Sequence, residues 1–363
     1  MISEILRESD AEFFVMYGTG RDANFFYATR FRTYDPTLYL IGIDGTELLV
    51  VPEMEKGRAE RESRVKEIAS FEDLGFREKV KKVKDTKKVL LEILISILKE
   101  GRCRKVLVPD EMPSFISIGL MRHFNVEIVK NPFSKLRVVK KHDEIKKIKD
   151  VSNAIVSTFK WLIDNFNFKK CEEVRRAIEL SLYSSGYLAK NTICSSGKLS
   201  ADPHELGRGN IEDHILVDVF PRSMDHGYYS DFTRTIFINK NDELEGMYSA
   251  VVSAQNEALG MIRDGADAEE IHRTVKEILN DHGYKTNKGE GFIHSTGHGI
   301  GLDVHEDPRI GDQSVVLRRG MVVTVEPGLY YKKIGGVRVE DTVVVKKNGC
   351  EVLTQFPKFI NLY

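Results

Sequence analysis

Acidic side chains stand at the ends of apolar, strand-like segments in the C-terminal part of this chain. Glu326 follows the run VVTV, and Glu340 follows VRV. Asp218 lies within ILVDVF, Asp231 precedes FTRT, and His298 lies in the glycine-rich segment STGHGIGL. Burying one unpaired ionised carboxylate costs several kcal/mol. Four of them converging in a core need compensating positive charge, which a pair of divalent metal ions supplies.

The first two acids are predicted to share one hairpin. Asp218 ends an apolar run, residues 221–227 supply turn-forming side chains, and a return strand that starts near Tyr228 carries Asp231. Because alternate side chains of a strand share a face, we expect the two acids, 13 positions apart, to face one another. The alternative is that one of them is a turn acid, a role that Asp225 also suits.

Histidines are concentrated in one glycine-rich segment. Three of the ten histidines lie between residues 294 and 305, and an extended backbone would set His294 and His298 on one face, with His305 following. The flanking glycines allow backbone and ligands to approach closely. A single histidine is usually a core or surface residue, whereas three beside glycines indicate a site. A phosphate-binding loop is disfavoured because no Lys-Ser/Thr pair follows GHGIG.

Arg338 and Glu340 are two positions apart in VRVE, so they are predicted to share a face, with Asp341 on the other. A surface ion pair is the alternative, but the flanking valines indicate burial. Four carboxylates and one imidazole form a hard donor set that suits Mn, Co, Fe or Zn. Two ions about 3.5–4 Å apart polarise a carbonyl and share a hydroxide, which is chemistry for hydrolysing an amide.

Composition restricts the remaining possibilities. The 363 residues, 41% hydrophobic and 30% charged, suffice for two domains, and a net charge of -1 argues against a nucleic-acid or membrane partner. The four cysteines are far apart, without a CxxC pair, which favours a reducing compartment. The charged N-terminus does not resemble a signal peptide, and no apolar stretch nears the ~20 residues that span a bilayer. We therefore expect a cytoplasmic protein.

The order of predicted elements indicates a two-domain α+β protein. Residues 1–135 alternate short strands (13–17, 37–43, 47–52, 105–109 and 126–129) with helices at 84–101 and 114–124. Residues 136–363 contain helices at 142–165, 171–186, 243–265 and 268–283, with strands in NTICSS, ILVDVF, YYSDFTRTIFIN, FIHSTG, MVVTVEPGLYY and VRVEDTVVVKK. Helices come in pairs followed by hairpins, which hints at an internal repeat.

The motifs SDFTRT, STGHGIGLDVHE, TVEPGLY and GVRVEDT resemble, closely and in order, those of the pita-bread metallopeptidases: Xaa-Pro dipeptidase (prolidase), aminopeptidase P, methionine aminopeptidase and the metal-free relative creatinase. The resemblance covers residues 141–363, and NFFYATRF (24–31) resembles the creatinase-type N-terminal domain. It implies a C-terminal pita-bread catalytic domain, with pseudo-symmetric helix pairs over a curved antiparallel sheet. A smaller α/β domain precedes it in the chain. A one-domain methionine aminopeptidase is disfavoured.

By position, the resemblance implies that five side chains bind two divalent ions, Mn or Co first and Zn or Fe otherwise: Asp218, Asp231, His298, Glu326 and Glu340. Asp231 and Glu340 would bridge the ions, and Glu326 would also move the proton from water to the leaving nitrogen. His204 would contact the substrate or its tetrahedral intermediate, with His294 and His305 lining the same pocket. Arg338 would orient the site and meet the substrate's carboxylate end.

One segment departs from the family pattern. The family writes the first ligand strand as Asp-hydrophobic-Gly-Ala with the second acid 11 positions later, whereas this chain reads Asp218-Val-Phe-Pro-Arg with a separation of 13. The longer tip is expected to reshape the pocket wall or to bring Arg222 near the substrate. It bears on the substrate more than on metal binding, since all five ligand types remain.

The resemblance favours an Xaa-Pro dipeptidase that acts on proline-containing peptides and assembles as a homodimer. Proline's ring removes the N–H and fixes φ, so ordinary peptidases fail on this bond. An aminopeptidase P acting on longer peptides is the first alternative. A non-enzymatic binding protein on the same fold is the second, although no ligand has been lost. A metal-independent amidinohydrolase like creatinase ranks last.

Overall fold

The computed structural model describes residues 2–363. The chain divides into two compact units, one that ends at Arg137 and one that spans Val138–Tyr363. No helix of the described chain combines the length and the apolar character that crossing a membrane requires.

The N-terminal unit is built on one mixed six-stranded sheet. Its strands are β1 (Phe13–Gly18), β2 (Thr37–Gly42), β3 (Glu47–Val51), β4 (Glu67–Ser70), β5 (Lys105–Pro109) and β6 (Asn125–Val129), in the order β4-β3-β2-β1-β5-β6. Its helices are α1 (Ile2–Glu8), α2 (Ala23–Thr29), α3 (Glu53–Glu62), α4 (Phe76–Val83), α5 (Thr86–Glu100) and α6 (Ser114–Leu120), and α7 (Pro132–Val138) follows at the unit's end. All five strands predicted here are present.

Helix α5 shows how local sequence sets these elements. The Asp85 carboxylate accepts a hydrogen bond from the Lys88 amide and caps the first turn. An apolar face packs on the sheet, and the helix ends before Gly101, where a Cβ would lie 2.4 Å from the Phe13 ring. The prediction for 84–101 is therefore confirmed except at its first two residues and its last.

The C-terminal unit contains four longer helices and several small sheets. The helices are α8 (His142–Asp164), α9 (Cys171–Ser184), α10 (Asp242–Met261) and α11 (Ala268–Asp281), with a 3-10 turn at Gly197–Ala201. The strands are β7 (Tyr187–Leu188), β8 (Ile193–Ser196), β9 (His214–Val219), β10 (Arg222–Ser223), β11 (Phe232–Phe237), β12 (Gly297–Gly299), β13 (Glu306–Ile310), β14 (Val322–Val325), β15 (Gly328–Tyr331), β16 (Gly335–Arg338), β17 (Asp341–Lys346), β18 (Gly349–Val352) and β19 (Ile360–Asn361).

These elements form two similar halves, as the helix pairing predicted. In the first, α8 and α9 share a core with the four-stranded sheet β19-β11-β9-β8. In the second, α10 and α11 share a core with the five-stranded sheet β13-β12-β14-β17-β18. A backbone bridge between Thr233 and Glu340 links the first half to the second. The candidate acids therefore come from both halves.

Two strand predictions were wrong in extent. The segment FIHSTG is not a strand up to Thr296: only Gly297–Gly299 pair, and His294 lies before them, outside β12. The return strand of the hairpin begins at Phe232 rather than near Tyr228. Pro221, opposite Ser230, has no N–H to complete its pair, which interrupts the regular ladder there.

Candidate metal centre

Three candidate ligands converge in the C-terminal unit. Asp231 precedes β11, His298 is the middle residue of β12, and Glu340 lies between β16 and β17. One ligand atom from each lies within 4.8 Å of the others, and all three residues are buried. The distance from His298 Nε2 to Asp231 Oδ2 is 3.9 Å. This spacing suits side chains that share one metal ion.

Asp218 and Glu326 complete the group. Asp218 lies in β9 and is buried, and its charge acts on both Asp231 and Glu340. Glu326 follows β14, and its Oε1 is 3.3 Å from His298 Nε2. The structure thus brings near one another all five predicted ligands, the first and last of which are 122 positions apart in the chain.

The hairpin places its two acids differently from our prediction. The register pairs Asp218 with Thr233 and Val219 with Phe232. Asp231 therefore does not face Asp218 directly but lies two positions farther along, as a diagonal neighbour on the same face. Such neighbours remain within reach of one another.

The electrostatics of the group call for a cation. Burial raises the pKa of Asp231 and of Glu340 well above the ordinary range, and neighbouring carboxylates raise both further. Burial also raises the pKa of Glu326. Asp218 Oδ1 and Glu340 Oε1 are buried without any hydrogen-bond partner in the described chain. Buried oxygens of this kind carry a large desolvation cost, so the donor set fits divalent ions.

The imidazole of His298 is oriented toward the acids. Its Nδ1 lies 3.0 Å from the Gly299 carbonyl, which accepts the N–H and leaves Nε2 free to coordinate a metal. Burial lowers the pKa of His298, which favours the neutral form that binds metals. Gly297 is required here, because a Cβ would lie 1.9 Å from the Thr324 carbonyl oxygen.

A hydrogen-bond network that the sequence reasoning missed supports the acids. The Thr233 hydroxyl donates to Glu340 Oε2 at 2.8 Å. Each nitrogen of the buried Arg338 guanidinium donates to a protein oxygen: Thr233 Oγ1 (3.2 Å), Tyr330 Oη (2.7 Å) and Asp218 Oδ2 (2.6 Å). Thr233 and Tyr330 lie inside the motifs SDFTRT and TVEPGLY, so the motifs themselves could have identified these two residues.

The three pocket histidines differ in their surroundings. His294 Nε2 is 2.9 Å from the Tyr330 hydroxyl, and the His305 ring centroid is 4.4 Å from that of His298. His204 is exposed, and its charge acts on both His294 and His305. His294 and His305 therefore lie near the acid group, and exposed His204 lies near these two histidines. Arg222 lies outside the network and stacks over the Tyr229 ring at 6.0 Å.

The fold and the buried donor set define a metallohydrolase with a separate N-terminal domain. Residues 143–347 match the metallopeptidase family M24, and residues 2–110 match the creatinase/prolidase N-terminal domain. The chain belongs to metallopeptidase family M24. The predicted α+β architecture, in which a creatinase-type domain precedes a pita-bread domain in the chain, is confirmed.

Relatives named as Xaa-Pro peptidases match most of the chain. The Xaa-Pro dipeptidase of Pyrococcus furiosus is 33% identical over 324 residues, 87% of each protein. Among solved structures, an Xaa-Pro dipeptidase from Bacillus anthracis superposes with a TM-score of 0.86 at 26% identity, covering 99% of this chain and 98% of that one. An X-Pro aminopeptidase from Thermotoga maritima superposes with a TM-score of 0.82 at 26% identity, covering all of both chains.

Proposed function

We propose that this protein is a metal-dependent Xaa-Pro dipeptidase, which hydrolyses the bond between an N-terminal residue and proline. The observation that carries the proposal is the convergence of five ligand-type side chains, two with buried carboxylate oxygens that lack any partner in residues 2–363. The whole-length similarity to Xaa-Pro dipeptidases supports the substrate.

Asp218, Asp231, His298, Glu326 and Glu340 would hold the metal. Two bound divalent ions would polarise the scissile carbonyl and acidify a water. Mn and Co are proposed first, since four carboxylates and one imidazole favour such metals. The buried guanidinium of Arg338 would fix the Asp218 carboxylate, and Thr233 would fix Glu340. We propose Arg338 as a positioning residue, because each of its nitrogens already donates to the protein.

Glu326 is the proposed proton carrier. Its side chain is 17% exposed, so it borders the open side of the group. Burial raises its pKa, so the carboxylate readily takes a proton from the attacking water. Delivery of that proton to the proline nitrogen is essential, because the leaving group is a secondary amine. His294 and His305 would line the pocket, and His204 would approach the substrate from solvent.

Several further features belong to the same proposal. Residues 136–363 would form the catalytic domain and residues 1–135 the creatinase-like N-terminal domain. Four unpaired cysteines support a reducing, cytoplasmic location. The family resemblance supports a homodimer.

Xaa-Pro aminopeptidase is the second candidate, because the Thermotoga maritima X-Pro aminopeptidase superposes over the full length of both chains. The two activities differ in whether the pocket admits a residue beyond proline. The site residues described above are common to both proposals.

The experiment is hydrolysis of Met-Pro and Met-Pro-Gly by protein that has been stripped with a chelator and reloaded with Mn or Co. We expect metal-restored release of proline from Met-Pro and little turnover of the tripeptide. Cleavage of the tripeptide would assign an aminopeptidase. A protein that binds metal but cleaves neither peptide would refute both activities.

A further inference from the structure

Two threonines lie side by side in the sheet of the second half. The register of β14 with β17 pairs Thr324 directly with Thr342, and directly paired side chains of antiparallel strands lie on one face of the sheet. Both residues are fully buried. The adjacent valines, Val323 and Val343, belong to the core that the sheet shares with α10 and α11. Because side chains alternate along a strand, the two threonines lie on the opposite face.

The Thr324 hydroxyl contacts two of the proposed metal ligands. It accepts a hydrogen bond from the His298 amide at 3.0 Å and donates to Glu326 Oε1 at 3.2 Å. The same Oε1 is 3.3 Å from His298 Nε2. A hydroxyl has only one hydrogen to donate, so the two contacts together fix its rotation. Thr324 thus holds the Glu326 oxygen that lies beside the imidazole.

The Thr342 hydroxyl contacts a third ligand, which belongs to the first half of the unit. It accepts a hydrogen bond from the Asp231 amide at 3.1 Å and donates to the Asp231 carbonyl at 2.8 Å. A hydroxyl that bonds both backbone groups of one residue fixes where that backbone lies. The Ser230 hydroxyl donates to Thr342 Oγ1 at 3.4 Å and lies 2.8 Å from Ser152 Oγ in α8. The hydroxyl contacts therefore extend from β17 into the first half.

The threonine pair connects ligand segments from both halves. Asp231 belongs to the first half, whereas His298 and Glu326 belong to the second. Residues directly opposite each other in antiparallel strands have Cβ atoms about 4.5–5.5 Å apart, so the two hydroxyls act on these three ligands from adjacent positions. Hydrogen-bond partners of metal ligands orient the ligands, and their loss typically weakens metal affinity by about 10–100-fold.

We propose that Thr324 and Thr342 are positioning residues of the metal centre; the inference rests on the proposed function. Thr324 holds the Glu326 carboxylate and the His298 backbone in place for metal binding, and Thr342 holds the Asp231 backbone beside them. The hydroxyl groups provide this role, since every contact described above is made by an Oγ1 atom. Both threonines act through the ligands that they hold and not on the substrate.

The test replaces each threonine by valine, which has a similar shape without the hydroxyl, and by serine, which keeps it. Metal affinity is measured by competition between the protein and a chelating dye for Co²⁺, and the ligand arrangement by the visible absorption spectrum of the Co²⁺-loaded protein. T324V and T342V should each bind Co²⁺ about 10–100-fold more weakly than the wild type, with a changed spectrum. T324S and T342S should restore most of the affinity and the wild-type spectrum. On Met-Pro, the valine variants should lose kcat with little change in KM, because neither hydroxyl meets the substrate.

Thr158 provides the matched control. It is a buried threonine of α8 whose hydroxyl lies 3.4 Å from Ser181 Oγ, so T158V should keep the wild-type affinity and spectrum. Wild-type affinity and spectrum in any valine variant that folds, or serine variants as impaired as the valine variants, would overturn the inference. If the metal-loaded wild type cleaves no Xaa-Pro peptide, the proposed function fails separately, and the Co²⁺ measurements still decide the positioning role.

Discussion

Arg234 is buried beside Thr233 and Glu340 and connects the two halves of the C-terminal unit. Its side chain is 0% exposed, and its guanidinium stacks 4.1 Å from the Phe232 ring. It donates to one carboxylate and four backbone carbonyls: Asp341 Oδ1 (2.8 Å), Thr233 O (2.9 Å), Glu340 O (2.6 Å), Pro357 O (3.0 Å) and Phe356 O (3.1 Å). We predict that R234M strongly destabilises the unit.

The magnitude follows from what the substitution leaves behind. Removing one partner of a buried ion pair costs about 3–5 kcal/mol, because Asp341 stays buried and charged. Carbonyls that lose a donor add about 1–3 kcal/mol each where no other donor reaches them. The expected loss is therefore at least about 4 kcal/mol, a large fraction of a stability of roughly 5–15 kcal/mol. The Asp341 carboxylate also accepts hydrogen bonds from Gln255 and Thr354. The substitution D341N removes the charge but keeps one oxygen acceptor at this position.

The assay is urea unfolding followed by tryptophan fluorescence. The single tryptophan, Trp161, lies in α8, so the fluorescence signal reports unfolding of the C-terminal unit. The double variant R234M/D341N should recover about 2 kcal/mol or more relative to R234M, since the unpaired charge is gone. R263M, at an exposed arginine, should change stability by less than about 0.5 kcal/mol. A loss below about 1 kcal/mol in R234M, or no recovery in the double variant, would refute the reasoning.

Three further predictions concern other buried groups. T233V removes a hydroxyl that supports Glu340 and should weaken metal affinity by about 10–100-fold. E340Q removes a proposed ligand, so it should lower both the bound metal, measured by elemental analysis, and the activity more than T233V does. Equal effects of the two variants would contradict these roles. Lys140 and Glu306 form a buried ion pair at 2.8 Å, so K140M should cost about 3–5 kcal/mol in urea unfolding, and K140M/E306Q should recover part of it. Burial lowers the pKa of His214 from 6.5 to about 4. As the pH falls, His214 takes up a proton in the unfolded chain before it does so in the folded protein. The contribution of neutral His214 to the free energy of unfolding is therefore complete above pH 6.5 and falls by about 3 kcal/mol as the pH drops to 4. H214Q should remove this pH dependence of the free energy of unfolding.

The sequence allowed prediction of which acidic side chains converge, because the constraint is chemical. Acids such as Glu326 and Glu340, placed after apolar strands, leave few alternatives to a metal centre, and the structure brings the five proposed ligands near one another. Long helices such as α8 and α5 were also predictable, since their apolar period persists over several turns. Short helices such as α2 and α3 have too few turns to show such a period.

Details that depend on tertiary contacts were not predictable. The backbone around His294 is held by a bridge between Gly291 and Tyr330 and by the Tyr330 hydroxyl, partners that lie 36 or more positions away. Local sequence propensity does not reflect these distant contacts, so the segment FIHSTG was predicted as a strand. The registry of Asp218 with Thr233 likewise follows from the pairing of β9 with β11, which the spacing of the two acids did not determine.

The bridge between Thr233 and Glu340 places the metal centre on the seam between the two halves. Asp218 and Asp231 come from the first half, whereas His298, Glu326 and Glu340 come from the second. Neither half therefore carries all five proposed ligands, and metal affinity is expected to depend on how well the halves are docked. A substitution far from the site that loosens the seam would be detected first as weaker metal binding, before the protein unfolds.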